Sequence, residues 1–237
     1  MRNKGNSGDH KRFPPFTGLE AETVAALKAM LRRVSYTAGQ IVFNEREKSE
    51  FVGVVESGVL RIQKTLVDGR YPIVGLLVEG DIFGRVFDGA TEFGIEAATD
   101  VRAFAFPHEP FEALLKRSPD LDRAVLRNAL NELDRARDWM IIVSNPKIIN
   151  RVAGFLVIMC RYWGRGDHLV QSYHSRIEVT IPVSRLDLAH LLGTSPESIS
   201  RALHALADIG DIEIKAPDRI LIGNADALAA KAGEEER

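Results

Sequence analysis

One cysteine, Cys160, is all that this chain of 237 residues contains. An internal disulfide is therefore impossible, and so is an all-cysteine zinc or iron–sulfur centre built within one chain. Long apolar runs are missing as well. None approaches the roughly 18–20 residues of a membrane span, and no signal peptide opens the chain. Both absences point to a cytoplasmic protein. Nor is there an excess of either charge: the formal net charge is −2 and the pI near 6.3. Between Arg151 and Gly223, eight Lys/Arg residues face eight Asp/Glu. Affinity for a polyanion would have to come from local placement rather than bulk charge. Enzyme signatures are lacking too. The chain holds no P-loop, no HExxH and no nucleophile elbow, and Gly164-Arg165-Gly166 lacks the rest of a dinucleotide fingerprint and reads as a helix stop.

What is present is the composition of a folded soluble protein, 45% apolar and 27% charged, long enough for one large or two ordinary domains. Residues 1–18 read as a disordered tail, basic and glycine-containing at the start. Helical periodicity follows over Leu19–Leu31. From Val34 to Phe106 the pattern changes to short β segments (SYTAGQIVF, FVGVVESGVLRIQKTL, YPIVGLLVEGDIF and IEAATDVRAFAF). Gly58, Gly69 and Gly80 punctuate them at intervals of eleven residues, and Asp68-Gly69 is a hairpin signal. A sandwich or roll is expected. After a short helical stretch, a long helix is expected from Pro119 to Val143. In it Leu126, Leu133 and Met140 repeat every seven residues, each followed after three by Ala129, Ala136 and Val143. That is a coiled-coil seam with small residues in one layer, suited to a dimer spine. Packing on the chain's own β domain is the alternative. Ser144-Asn145-Pro146 ends the helix, another apolar-faced helix covers Ile149–Trp163, and a polar loop leads into the strand IEVTIP. The expected divisions are a β domain over 19–117, the long helix over 118–144 and a C-terminal domain over 145–237.

Residues 186–209, LDLAHLLGTSPESISRALHALADI, carry the strongest functional signal. Ala189, Gly193 and Ile199 have the spacing of a helix-turn-helix: a small residue at the crossing, a glycine for the positive φ of the turn, a branched residue locking the second helix. Thr194 and Glu197 have capping-box spacing, and Pro196 suits a first helical turn. Ile199, Leu203 and Leu206 define the buried face; Glu197, Ser198, Ser200 and Arg201 lie opposite. DIEIKAPDRILIG then reads as a two-stranded wing. A solvated helical hairpin is the alternative, and Glu197 could be a capping residue alone. In a DNA-binding helix-turn-helix, however, that polar end enters the major groove. There a carboxylate accepts from cytosine N4 and an arginine forks to guanine O6 and N7. The candidate DNA contacts are Glu197, Ser200 and Arg201, with Ser198, Ser195, Thr194 and Arg185 beside them.

Taken in order, TAGQIVFNE, ESGVLRIQKTLVDGR, VEGDIFG, INRVAGFLVIM and RLDLAHLLGTSPESISRAL resemble the CRP/FNR family of bacterial transcription regulators, over about residues 19–228. The resemblance implies an α+β chain: an N-terminal β-roll like a cyclic nucleotide-binding domain, a long dimerisation helix and a C-terminal winged helix-turn-helix. LVDGRYPIVGLLVEGDIFG and the Glu-x-x-Ser-Arg arrangement of Glu197, Ser200 and Arg201 are similar to the FixK/FNR-like branch. That branch implies TTGA-type half-sites in an inverted repeat of double-stranded DNA, a homodimer, and RNA polymerase as a partner. The effector pocket would involve Gly80, Asp81, Gly84 and Arg85. Two departures stand out. Cyclic-AMP-responsive members carry Gly-Glu where this chain has Gly84-Arg85, and an Arg-Ser/Thr pair where TEFGIEAAT has no arginine. Glu92 and Glu96 there would repel a phosphate. Cyclic AMP is not expected as the effector. The cysteine cluster of oxygen-sensing members cannot be assembled, and a haem would have to use His10 or His108. Whether any small effector exists is left open. The competing functional reading is an effector-binding interaction module whose DNA-binding domain no longer works. Cys160 sits in the apolar stripe of Phe155, Leu156 and Met159 and reads as a small buried hydrophobe.

Overall fold

The computed structural model describes residues 14–67, 69, 71–163, 169–173 and 176–233. Two compact units are present: residues up to 65 with 76–132, and residues 66–75 with those from 133 onward. The long helix expected over 118–144 is present as Pro119–Ser144, and the division between the two units falls inside it.

Helix α1 (Ala21–Met30) precedes eight strands, all in the first unit but for residues 73–75 of the fifth: β1 (Arg32–Tyr36), β2 (Ile41–Phe43), β3 (Phe51–Ser57), β4 (Leu60–Gln63), β5 (Ile73–Leu77), β6 (Ile82–Phe83), β7 (Gly94–Ala97) and β8 (Val101–Pro107). They form two four-stranded sheets ordered β1-β8-β3-β6 and β2-β7-β4-β5, and every register given is antiparallel. Phe43, Val55, Leu60, Leu77, Phe83, Ile95, Val101 and Ala103 form one core cluster. Val52, Val54, Phe104 and Phe106 point to the other face of the first sheet. There they join Leu27 of α1, Phe111, Leu114 and Leu115 of α2 (His108–Arg117), and Leu121, Ala124 and Val125 of α3 (Pro119–Ser144). Two-sided burial replaces the alternating patterning expected of these strands: FVGVV is apolar throughout, and VRAFAF is buried except at Arg102. Phe16, within the stretch expected to be disordered, is buried in a short 3-10 turn over Pro14–Phe16, with its ring against those of Phe106 and Phe111. The tail expectation is corrected from residue 14 onward; residues 1–13 lie outside the described residues.

Besides residues 66–75, the second unit contains the last twelve residues of α3. Helix α4 (Ile148–Trp163) follows, then β9 (Val170–Tyr173), β10 (Arg176–Thr180), α5 (Arg185–Leu191), α6 (Pro196–Asp208), β11 (Ile212–Ile214), β12 (Arg219–Ile222) and α7 (Ala225–Ala232). The sheet order is β11-β12-β10-β9, and α4 packs against both α6 and α7. A helix-turn-helix followed by a β11–β12 wing is thus in place. Two elements correct the sequence reading: β9 occupies part of the expected polar loop, and α7 was not expected at all. The helix stop proposed at Gly164-Arg165-Gly166 and the residue Asp68 lie outside the described residues.

Candidate nucleic-acid interface

The helix-turn-helix is built from well-formed local signals. Ser184 caps α5 through a reciprocal box: its Oγ accepts from Asp187 N–H at 3.0 Å, and Asp187 Oδ2 accepts from Ser184 N–H. At the turn Gly193 takes φ +62°, a left-handed conformation that costs a glycine little, and Thr194 N–H donates to Ala189 O at 2.9 Å. The cap of α6 is Ser195, whose Oγ accepts from Ser198 N–H at 3.3 Å; Pro196 occupies the first helical position. The Thr194–Glu197 capping box is therefore corrected by one residue. Ala189, Ile199, Leu203 and Leu206 are buried, which leaves Glu197 and Arg201 exposed on the opposite face.

That face is ordered in advance. Arg201 Nη2 donates to Ser198 Oγ at 3.0 Å, and Ser198 Oγ lies 3.3 Å from Ser195 Oγ. The Ser195 hydroxyl, the Glu197 N–H and then Arg201 hold the Glu197 carboxyl below its ordinary range, so it presents an acceptor at neutral pH. Ser200 is half-buried, and its Oγ donates to Pro196 O at 3.1 Å. Thr194 is half-buried in the turn. Arg185 stands apart from the helix face, with its guanidinium donating to Pro217 O at the wing tip. Burial draws its pKa down and Asp218 opposes that. The structure thus brings together Glu197, Ser198 and Arg201, with Ser195 beneath them.

Two anchors hold the turn itself, and neither was legible in the sequence. Arg151 of α4 donates from Nε to Asn145 O at 2.6 Å, and from Nη1 to Leu192 O at 2.9 Å and Gly193 O at 3.3 Å. Trp139 Nε1 of α3 donates to Leu191 O at 3.3 Å. Beside them Ile142 fits against Gly154, where an added Cβ would lie 2.7 Å from Ile142 Cγ1. Asp138 accepts from Tyr162 Oη at 2.6 Å and Arg161 Nη1 at 3.1 Å. The end of α3, its junction with α4 and the helix-turn-helix are thus fastened together by polar bonds and close packing.

Residues 33–118 match the family model of the cyclic nucleotide-binding domain, and residues 150–231 that of the Crp-like helix-turn-helix domain. The nitrogen fixation regulation protein FixK of Bradyrhizobium diazoefficiens is 32% identical over 199 residues, covering 84% of this chain and 81% of the relative. The chain belongs to the CRP/FNR family, in its FixK-like branch. The transcriptional activator protein FnrL of Cereibacter sphaeroides is 29% identical over 218 residues, 91% of this chain and 86% of the relative. The solved structure of FixK2 from Bradyrhizobium japonicum superposes with a TM-score of 0.75 at 26% identity, covering 87% of this chain and 98% of that one. The protein is thus a CRP/FNR-type transcriptional regulator with a helix-turn-helix DNA-binding domain, in a family of regulators that bind DNA and act as dimers. No helix among the described residues is long and apolar enough to cross a membrane.

The remaining expected sites fall as follows. On α3, Leu126, Ala129, Leu133, Ala136 and Met140 are exposed and Val143 is half-buried, with Leu130 and Ile141 widening the stripe. The face that packs on the β domain is a different one, Leu121, Ala124 and Val125. The four effector-pocket positions are taken up by local structure. Asp81 is buried and its Oδ2 accepts from Val78 N–H at 2.8 Å; Gly80 O accepts from Asn128 Nδ2 at 3.2 Å. Gly84 has φ +82°, and Arg85 Nη1 donates to Ala90 O at 3.0 Å. Glu92 and Glu96 face Lys64 and Arg61 in ion pairs. His108 lines an open cavity of about 400 Å³ with Lys48, Glu50, Pro107 and Pro110 among its neighbours; His10 lies outside the described residues. Among the described residues no group of three or more His, Cys, Asp or Glu side chains is placed to hold a metal. Cys160 is half-buried and burial pushes its thiol up to about 11.

Proposed function

We propose that this regulator reads an inverted repeat with TTGA-type half-sites as a homodimer, through the exposed face of α6. The observation that carries the reading is the pairing of Glu197 with Arg201 on that face, opposite a fully buried one, with Arg201 held by Ser198. The half-site's one G·C pair offers guanine O6 and N7 to an arginine fork and cytosine N4 to a carboxylate. Ser195 and Ser198 lie near enough to the helix start to reach the phosphates, which fix register without specifying sequence. Arg185 serves by setting the wing tip. The exposed stripe on α3 pairs two chains, and a two-fold dimer reads two half-sites identically. No resident cofactor is assigned, and no enzymatic step; RNA polymerase is the expected protein partner, as is typical of the family.

A gel-shift titration with duplexes bearing a TTGA inverted repeat or its scramble tests this. Tight binding of the repeat and only salt-sensitive binding of the scramble are expected. Equal binding of both would remove the half-site assignment. No binding to either would favour the second reading, an interaction module whose helix-turn-helix is idle.

A further inference from the structure

The polar stripe of α6 does not stop at Arg201. With 3.6 residues per turn, Glu197, Arg201 and His204 fall within about 60° of one another, opposite the buried Ile199, Leu203 and Leu206. His204 is exposed, yet its ring is fixed. Nδ1 lies 2.8 Å from the Ser200 carbonyl oxygen, which can only accept, so Nδ1 carries a proton and donates it. Nε2 is the outward atom. Seven residues of helix carry His204 about 10 Å along the axis from Glu197. A major groove is about 12 Å wide, so a helix that sets Glu197 over base edges brings His204 level with the phosphates bordering the groove.

We propose that His204 is a phosphate-binding residue of the DNA interface, its Nε2–H donating to a backbone phosphate beside the half-site. The inference rests on the DNA-binding reading above. Because Nδ1 is already a donor, Nε2 can donate only from the imidazolium; the neutral ring would turn a lone pair toward an anion. The contact therefore takes up one proton per protomer, and histidine is the side chain whose charge changes between pH 5 and 8. The charged groups nearest to it on α6 are Arg201 and Asp208. Titratable side chains on the elements packed against α6 are engaged elsewhere. On α4, Arg151 holds backbone carbonyls, Arg161 and Tyr162 hold Asp138, and the Cys160 thiol stays protonated. On α5, Arg185 is bonded to Pro217 O and Asp187 to Ser184; on β11, Glu213 pairs with Lys215. His190, exposed at the end of α5, supplies a control.

Fluorescence anisotropy of the full chain, with a TTGA inverted-repeat duplex and a scrambled one, at pH 6 and pH 8 over a salt series, tests this. Wild type should bind both duplexes about tenfold more tightly at pH 6, the sign required when the complex holds more protons than the free partners. His204→Gln should abolish that rise on both duplexes and lower the salt slope at pH 6 by about two, one per protomer. His204→Lys should restore the slope and make it independent of pH, and His190→Gln should behave as wild type. A wild type indifferent to pH, or a His204→Gln protein that keeps the full pH response and slope, overturns the proposal; discrimination of repeat from scramble would then leave the DNA-binding reading standing. A wild type that binds neither duplex overturns both.

Discussion

Replacing Leu133 with Glu puts the heaviest demand on the dimer assignment. Leu126, Leu130, Leu133, Met140 and Ile141 are 56, 52, 45, 71 and 61% exposed along one face of α3. Full burial of such a side chain stabilises by about 1.5–3 kcal/mol, so covering the exposed half of Leu133 is worth about 1 kcal/mol per copy. Across a two-fold axis Leu133→Glu forfeits about 2 kcal/mol of burial. It also sets two carboxylates against each other in the seam, which costs at least a further 2 kcal/mol. At 1.4 kcal/mol per tenfold, the dimer constant should weaken by about a thousandfold. Sedimentation velocity at micromolar concentration should show a wild-type dimer and a variant monomer with an unchanged far-UV spectrum, because Leu133 belongs to neither core cluster of the β domain. A monomeric wild type, or a Leu133→Glu protein that sediments with wild type, would refute the reasoning.

Arg151→Ala removes a charged donor from three carbonyls and should cost about 2 kcal/mol in urea unfolding. DNA affinity should fall on specific and random sequences alike; an unchanged midpoint would show that the turn stands without this anchor. Cyclic AMP should give no heat of binding in calorimetry at physiological concentration, since Arg85 stands after Gly84 and is tied to Ala90 O, and TEFGIEAAT offers no arginine to a phosphate; micromolar affinity would contradict that. Cys160, with its thiol raised to about 11 by burial, gains its reactive thiolate only as pH rises toward that value. At pH 8 its alkylation by iodoacetamide should be about two hundredfold slower in the folded protein than in urea, where the ordinary value near 8.5 applies. Comparable rates in the two states would show the thiol to be accessible and unshifted.

The parts of the molecule legible in the sequence are those whose signal is local. FVGVV and VRAFAF declare strands, though not their burial on both sides; the heptads of α3 declare an exposed apolar stripe, and Gly193 with Ile199 declares the turn and its lock. Elements held in place by neighbours were missed. Strand β9 is largely exposed, so its residues do not alternate; its register comes from pairing with β10. Helix α7 is mostly alanine with little amphipathic pattern, although Asn224 at its cap and Gly233 in the left-handed region at its end were readable stops. Thr194 and Ser195 are adjacent candidate caps, and Pro196 in the first helical position selects the second. Trp139 and Arg151 reach the turn from 52 and 41 residues away, a separation no local pattern encodes. His204 was available at the i+7 position from Glu197 but lay beyond the Glu-x-x-Ser-Arg arrangement.

The central claim is that α6 reads bases through Glu197 and Arg201, and the direct measurement is the dissociation constant of Arg201→Ala on repeat and scrambled duplexes at one salt concentration. The account predicts a loss of about 1–3 kcal/mol confined to the repeat, with relaxed preference at one symmetric pair of base positions. It also predicts near wild-type binding to the scramble, where phosphate contacts dominate. Equal weakening on both duplexes would contradict base reading by Arg201, and no change on either would remove α6 from the functional surface.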